Sequence, residues 1–241
     1  MRVLVLSDIH GNLVALERVL EHAGAVDAVW CLGDLVGYGA QPNECVERVA
    51  ALPNLACVRG NHDAAVLGYF DLDAFNSEAR ASIRWTIEHL NESARSFLQQ
   101  LPDLVVLDDV TLAHGSPRSP EWEYILDLYT AEQNLNEMRT PFCFVGHTHQ
   151  PMAFFFGDHG RTQWRVPLPE SSQRFTPPVI LNPGSVGQPR DHDPRAAYAI
   201  FDSDAHTWQS FRVGYDVGAA QERIHAAGLP LRHALRLEGG W

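Results

Sequence analysis

An α/β fold is the class this sequence predicts, and three features predict it. Up to Val58, short apolar runs alternate with helix-patterned stretches. Residues 63–101 lose the strand pattern and read as helices. From Leu104 onwards short apolar runs dominate again. Strand, loop and helix repeated at this pace describe right-handed β-α-β units. The 241 residues suffice to bury a sizeable core. No linker, internal repeat or low-complexity tract divides them, so the chain is read as one domain, 1–241, with a helical insertion at about 63–101.

Arg2 to Leu6 is apolar on both faces, as a central buried strand must be. Asn12 is placed to cap a helix whose apolar positions are Leu13, Leu16, Val19 and Leu20, and Gly24 ends it. Asp27–Leu32 is the next strand, Pro42 opens a second helix, and Leu55–Val58 is a third strand. In the insertion, Ile83, Ile87 and Leu90 follow helical spacing, and two or three helices fit its length. Leu104–Leu107 and Val110–Ala113 read as a hairpin turning at Asp108-Asp109. Ala131–Met138 is helical, Phe142–Val145 returns to a sheet, and Ala153–Phe156 pairs with Thr162–Val166. Pro167–Pro178 is expected to be a surface loop. Val179–Leu181 is another strand, Ala196–Phe201 and Thr207–Val213 form a hairpin, and a last helix spans about Val217–Ala227.

Composition narrows the function classes. Hydrophobic content of 45% with 20% charged residues is that of a globular protein. A formal net charge of -12 disfavours a broad grip on long nucleic acid or an anionic membrane. Bound cations are absent from that count, so a local positive site is compatible with it. Cys31, Cys45, Cys57 and Cys143 form no C-x-x-C pair and read as buried small hydrophobes. No charged-then-apolar leader precedes the first strand, and no apolar run approaches bilayer length. A reducing, cytoplasmic location is the expectation.

Five of the strand-like runs end in a metal-ligand residue type beside glycine: Asp8-Ile9-His10-Gly11-Asn12, Gly33-Asp34, Gly60-Asn61-His62-Asp63, Ala113-His114-Gly115 and Gly146-His147-Thr148-His149. The candidate ligands are Asp8, His10, Asp34, Asn61, His114, His147 and His149. All offer nitrogen or oxygen and none a thiolate, which disfavours structural zinc. Seven ligands exceed the need of one ion and suit two, with a carboxylate such as Asp34 shared. Only Asp8 and Asp34 are anionic, so two divalent ions leave the site positive. Such a site holds hydroxide, ready to attack in line, and an anionic substrate such as phosphate. His62, beside a ligand but surplus to the count, suits a general acid for the leaving oxygen. Asp63 is read as a helix cap. Asn182-Pro183-Gly184-Ser185 is read either as a turn supporting the site or as a phosphate contact. Arg190, Asp191 and His192 form a polar run whose default is a solvated loop. His22, His89, His159, His206, His225 and His233 lie outside the motifs and are assigned no role.

Together and in order, these motifs resemble the calcineurin-like metallophosphoesterases, over Met1 to about Gly187. The resemblance implies a four-layer α-β-β-α sandwich with the metals at the C-terminal edges of the strands. It implies that Asp8, His10, Asp34 and His149 hold one ion, that Asp34, Asn61, His114 and His147 hold the other, and that His62 is the proton donor. Manganese, iron or both are the implied metals, with zinc, nickel, cobalt or magnesium compatible. The protein serine/threonine phosphatases of this family follow their Gly-Asp with a second Asp and an Arg. Here Gly37 stands in place of the Asp that would partner the catalytic His, and Tyr38 in place of the phosphate-clamping Arg. That departure, with the Asn182–Gly187 run, aligns the chain better with the small bacterial and archaeal phosphoesterases. Asn12, Tyr38 and Arg190 are the candidate substrate contacts. The expectation is a dinuclear phosphoesterase in which metal-bound hydroxide attacks a phosphodiester or small phosphate compound. A nucleotide phosphohydrolase, a phosphomonoesterase or protein phosphatase, and a non-enzymatic metal-binding scaffold are the alternatives. A homo-oligomer is compatible with everything above.

Overall fold

A computed structural model describes residues 1–241. Two six-stranded mixed sheets pack face to face, and helices cover both outer surfaces. The first sheet is built on β1 (Arg2–Leu6), β2 (Ala28–Cys31) and β3 (Leu55–Cys57), which run parallel. α1 (Leu13–Ala23) and α2 (Pro42–Ala50) make the two crossovers. On β1, Leu4 and Leu6 turn to the helices while Val3 and Val5 turn to the other sheet. A strand buried on both faces needs an apolar residue at every position, which is why the run reads as continuous. Asn12 caps α1 by accepting from Ala15 N at 3.1 Å.

The insertion consists of α3 (Asn61–Val66), a 3-10 turn at Leu72–Ala74, α4 (Ser77–His89) and α5 (Glu92–Gln100). It begins at Asn61, two residues earlier than expected, so a candidate ligand lies in the first turn of its first helix. Ile83 and Leu98 pin the insertion to the core between helices and first sheet. The second sheet contains β4 (Leu104–Leu107), β5 (Val110–Ala113), β6 (Phe142–Phe144), β7 (Pro151–Phe156), β8 (Thr162–Arg165) and β10 (Val179–Pro183). Between β5 and β6 runs α6 (Leu128–Glu137), which packs on this sheet's outer face and starts at Asp127, a cap preceding the expected Ala131. Phe154 points into the α6 layer and Phe155 into the space between the sheets, so layer burial accounts for both.

Two expectations are corrected. Residues 167–178 are not all loop: Ser172–Arg174 form β9, an edge strand pairing with β12 (Thr207–Val213), which in turn pairs with β11 (Ala196–Asp202). A polar three-residue edge strand carries no hydrophobic alternation to betray it. The chain also ends in two helices, α7 (Val217–Ala226) and α8 (Leu231–Gly239), not one. All four cysteines are buried and unpaired.

Candidate metal centre

The first sheet delivers candidate ligands just past the ends of β1, β2 and β3. The second delivers them past β5 and β6. All seven are less than 5% exposed. One group, Asp8, His10, Asp34 and His149, and another, Asp34, His114 and His147, each place their ligand atoms within 4.8 Å of one another. Asp34 belongs to both. Its Oδ2 lies 3.5 Å from His10 Nε2 and 3.3 Å from His114 Nε2. Asn61 joins the second group, with its Oδ1 3.1 Å from His114 Nε2.

The imidazoles are oriented from behind. His10 Nδ1 donates to Val36 O at 3.0 Å, His114 Nδ1 to Leu32 O at 2.7 Å, and His149 Nδ1 to Gln188 O at 2.6 Å. Each leaves Nε2 facing inward, the arrangement by which a carbonyl fixes the tautomer of a metal-binding histidine. His10 Nε2 and His149 Nε2 then face each other at 3.1 Å. Each ring carries its proton on Nδ1, so two Nε2 lone pairs converge, and a cation between them would relieve the repulsion. On the other side, His147 Nδ1 approaches His114 Nε2 at 3.0 Å.

Electrostatics agree with a cation site. Burial holds His10, His147 and His149 well below the ordinary imidazole range, so they are neutral. Burial works against ionising Asp34, yet the charge of His114 and its hydrogen bond hold the Asp34 carboxyl well below the usual carboxylate range. Burial likewise opposes charge on His114, but Asp34 and Asp8 outweigh it and raise the group to about 9. The carboxylates recruit positive charge into a site walled from water. Asp8 itself is raised to about 6 by burial, against the pull of His114. The donor set fits two cations.

The backbone is bent to serve this site. Asp8, His10, Asp34, His147 and His149 have φ of 54°, 48°, 54°, 65° and 61°. Non-glycine residues pay about 1–3 kcal/mol each for such conformations, and these cluster where function uses them. Supporting contacts hold the bends. Ser185 Oγ donates to Asp8 O, and Asn182 Nδ2 donates to Gly146 O at 2.7 Å. The Asn182–Ser185 run thus supports the ligand loops.

His62 sits on α3, its backbone N–H donating to Asp34 Oδ1 at 2.9 Å. Its ring packs on Tyr38, His10 and Phe75. Nδ1 is buried without a partner, and the neighbour at that place is Gly37, where any Cβ would overlap the ring. Burial drives His62 down to about 4 against the pull of Asp34. Asp63 takes the expected capping role, bonding Gly60 N, and adds bonds from Leu35 N and Val36 N. Burial and Asp34 raise it to about 7.

Of the candidate substrate contacts, Asn12 has both polar atoms engaged by backbone, accepting from Ala15 N and donating to Gly187 O. Tyr38 is buried against the His10 ring at 4.6 Å. Residues 190–192 form the expected loop with His192 exposed, but Arg190 is half-buried over Tyr38 and not solvated throughout. Two neighbours escaped the sequence reading. Tyr124 stacks on His147 with ring centroids 3.6 Å apart, and His233 of α8 packs on Tyr38 at 4.9 Å. A loop tyrosine and an isolated histidine far along the chain carry no motif that would reveal them.

The calcineurin-like phosphoesterase superfamily domain matches residues 1–206. The chain belongs to this superfamily. Its members are metal-dependent hydrolases, and the buried Asp/His cluster is where this chain fits that chemistry. The crystal structure of a metallophosphoesterase from Sphaerobacter thermophilus superposes with a TM-score of 0.91 at 45% identity, over 100% of this chain and 99% of that one. The uncharacterized protein MJ0912 of Methanocaldococcus jannaschii is 38% identical over 240 residues, 95% of this chain and 93% of that protein. Phosphodiesterase YfcE of Escherichia coli is 28% identical over 218 residues, 85% of this chain and 89% of its own. The calcineurin-like fold accounts for the two sheets flanked by helices.

Proposed function

We propose that this calcineurin-like protein hydrolyses small phosphate esters at a two-metal centre. The observation that carries the reading is the convergence of the His10 and His149 Nε2 lone pairs at 3.1 Å beside a carboxylate shared with a second histidine group. Asp8, His10, Asp34 and His149 would hold one ion, and Asp34, Asn61, His114 and His147 the other. Manganese, iron or both suit this mixed imidazole and carboxylate set. Two such ions supply Lewis acidity towards phosphoryl oxygens and lower the pKa of bound water.

The chain's own residues do the rest. Asp34 belongs to both candidate groups and would serve both ions, and it anchors the α3 turn by accepting from His62 N. His62, whose ring packs edge-on against His10, donates the proton to the leaving oxygen. An arriving phosphate dianion supplies the negative charge that raises its pKa from the depressed value. Phe75 packs on the His62 ring and Tyr124 on the His147 ring, covering the site from two sides. The acidic surface favours a small substrate over a long nucleic acid. No helix is long and apolar enough to cross a membrane; we place the protein in the cytoplasm and treat the chain as one domain.

The test is turnover of p-nitrophenyl phosphate and its bis-ester by manganese-loaded protein, with His62→Ala as the partner variant. Metal-dependent hydrolysis is expected, falling about 10²–10⁴-fold in His62→Ala with metal content unchanged. Turnover of neither ester with any metal would favour the scaffold reading instead.

A further inference from the structure

The segment after β10 carries a cation with no anion. Arg190 Nη2 donates to Gln188 Oε1 at 3.1 Å and reaches the Tyr38 hydroxyl at 3.4 Å, both neutral oxygens, while its Nε is buried without a partner. The adjacent acid, Asp191, is engaged by Arg212. Arg48, Arg59, Arg80, Arg118 and Arg195, by contrast, each meet a carboxylate. A guanidinium presents five donors in a planar fork, and this one leaves most of them uncommitted.

Its position is tied to the metal centre. The guanidinium carbon lies 5.7 Å from the centre of the Tyr38 ring, and that ring packs against His10 at 4.6 Å and His62 at 4.5 Å. Gln188 O orients His149 through Nδ1, and Arg190 O accepts from Gln150 Nε2 at 3.0 Å. Residues 188–190 are therefore clasped at two points to the loop that carries His149. The cation is fixed one aromatic ring away from both a candidate ligand and the candidate proton donor.

We propose that Arg190 is a phosphate clamp that selects for a doubly charged terminal phosphoryl group. The proposal rests on the phosphoesterase reading and names the substrate class of that same site. A terminal phosphoryl group carries about -1.5 to -2 charge and three free oxygens. If its other oxygens met the candidate metal centre, one would remain for the guanidinium. A diester has a single charge and two free oxygens, so it has less to offer the fork. Charge-assisted bonds of this kind are the strong ones, and lysine, a point charge, replaces the fork only in part.

The experiment compares the full-length, manganese-loaded wild type with Arg190→Gln and Arg190→Lys. Inorganic phosphate is titrated calorimetrically, metal content is measured, and kcat/KM is determined for p-nitrophenyl phosphate and its bis-ester. For Arg190→Gln, phosphate affinity and monoester kcat/KM are expected to fall about ten- to a hundredfold, with diester kcat/KM changed less than about threefold and metal content unchanged. Arg190→Lys is expected to recover part of the loss. Unchanged phosphate affinity in Arg190→Gln would overturn the clamp, and equal losses on both esters would overturn its selectivity. If wild type binds phosphate but turns over neither ester, the hydrolase reading fails while the phosphate titration still decides the clamp.

Discussion

His62 Nδ1 has no acidic partner: Gly37 lies against it, and no side chain fits in that space. Gly37 has φ of 89°, and a Cβ added there would overlap His62 Nδ1. Gly37→Ala therefore has two penalties, a left-handed backbone costing roughly 1–2 kcal/mol and a methyl group overlapping the ring. We expect lower stability by about that amount in denaturant and at least a roughly tenfold loss of turnover, with metal content retained. Asp63 works on the backbone instead. Asp63→Ala leaves the N–H groups of Leu35, Val36 and Gly60 without their acceptor and is expected to cost about 3 kcal/mol or more, read from urea unfolding. At this scale the sequence was informative where chemistry restricts residue type. A histidine or aspartate beside glycine at a strand end is visible as such. The left-handed backbone of Asp8, His10, Asp34, His147 and His149 was not visible, because conformation there is imposed by contacts with Asn182, Ser185 and the Leu35–Val36 turn.

Among the elements, strands with buried faces were legible and partly exposed ones were not. β1 must be apolar throughout because each face meets a different layer, whereas β9 needs only backbone pairing with β12. α8 was missed for a related reason: it follows Pro230 closely, has no side-chain cap and buries only His233, Ala234 and Leu237. Its role is nonetheless central, since His233 backs Tyr38, which packs on His10 and His62. Leu237 anchors α8 to α7 in a small cluster of its own. Leu237→Ala is expected to cost about 2–4 kcal/mol in chemical denaturation, the range for truncating a buried leucine.

For the molecule as a whole, the site is the place where two sheets meet. Neither sheet holds a complete set of candidate ligands: the first contributes Asp8, His10, Asp34 and Asn61, the second His114, His147 and His149. Ions bound there would couple the two halves of the sandwich, and ligand binding to the folded state alone adds stability by mass action. Chelation is expected to lower the melting temperature, and saturating manganese at about a hundredfold over Kd to restore about 2.7 kcal/mol. A melting temperature indifferent to chelator would argue against ions in this interface. The decisive measurement is anomalous diffraction from manganese-loaded crystals. Two peaks are expected, on either side of Asp34, one enclosed by Asp8, His10 and His149, the other by Asn61, His114 and His147. Ions bound elsewhere, or no ion beside Asp34, would contradict the two-metal reading.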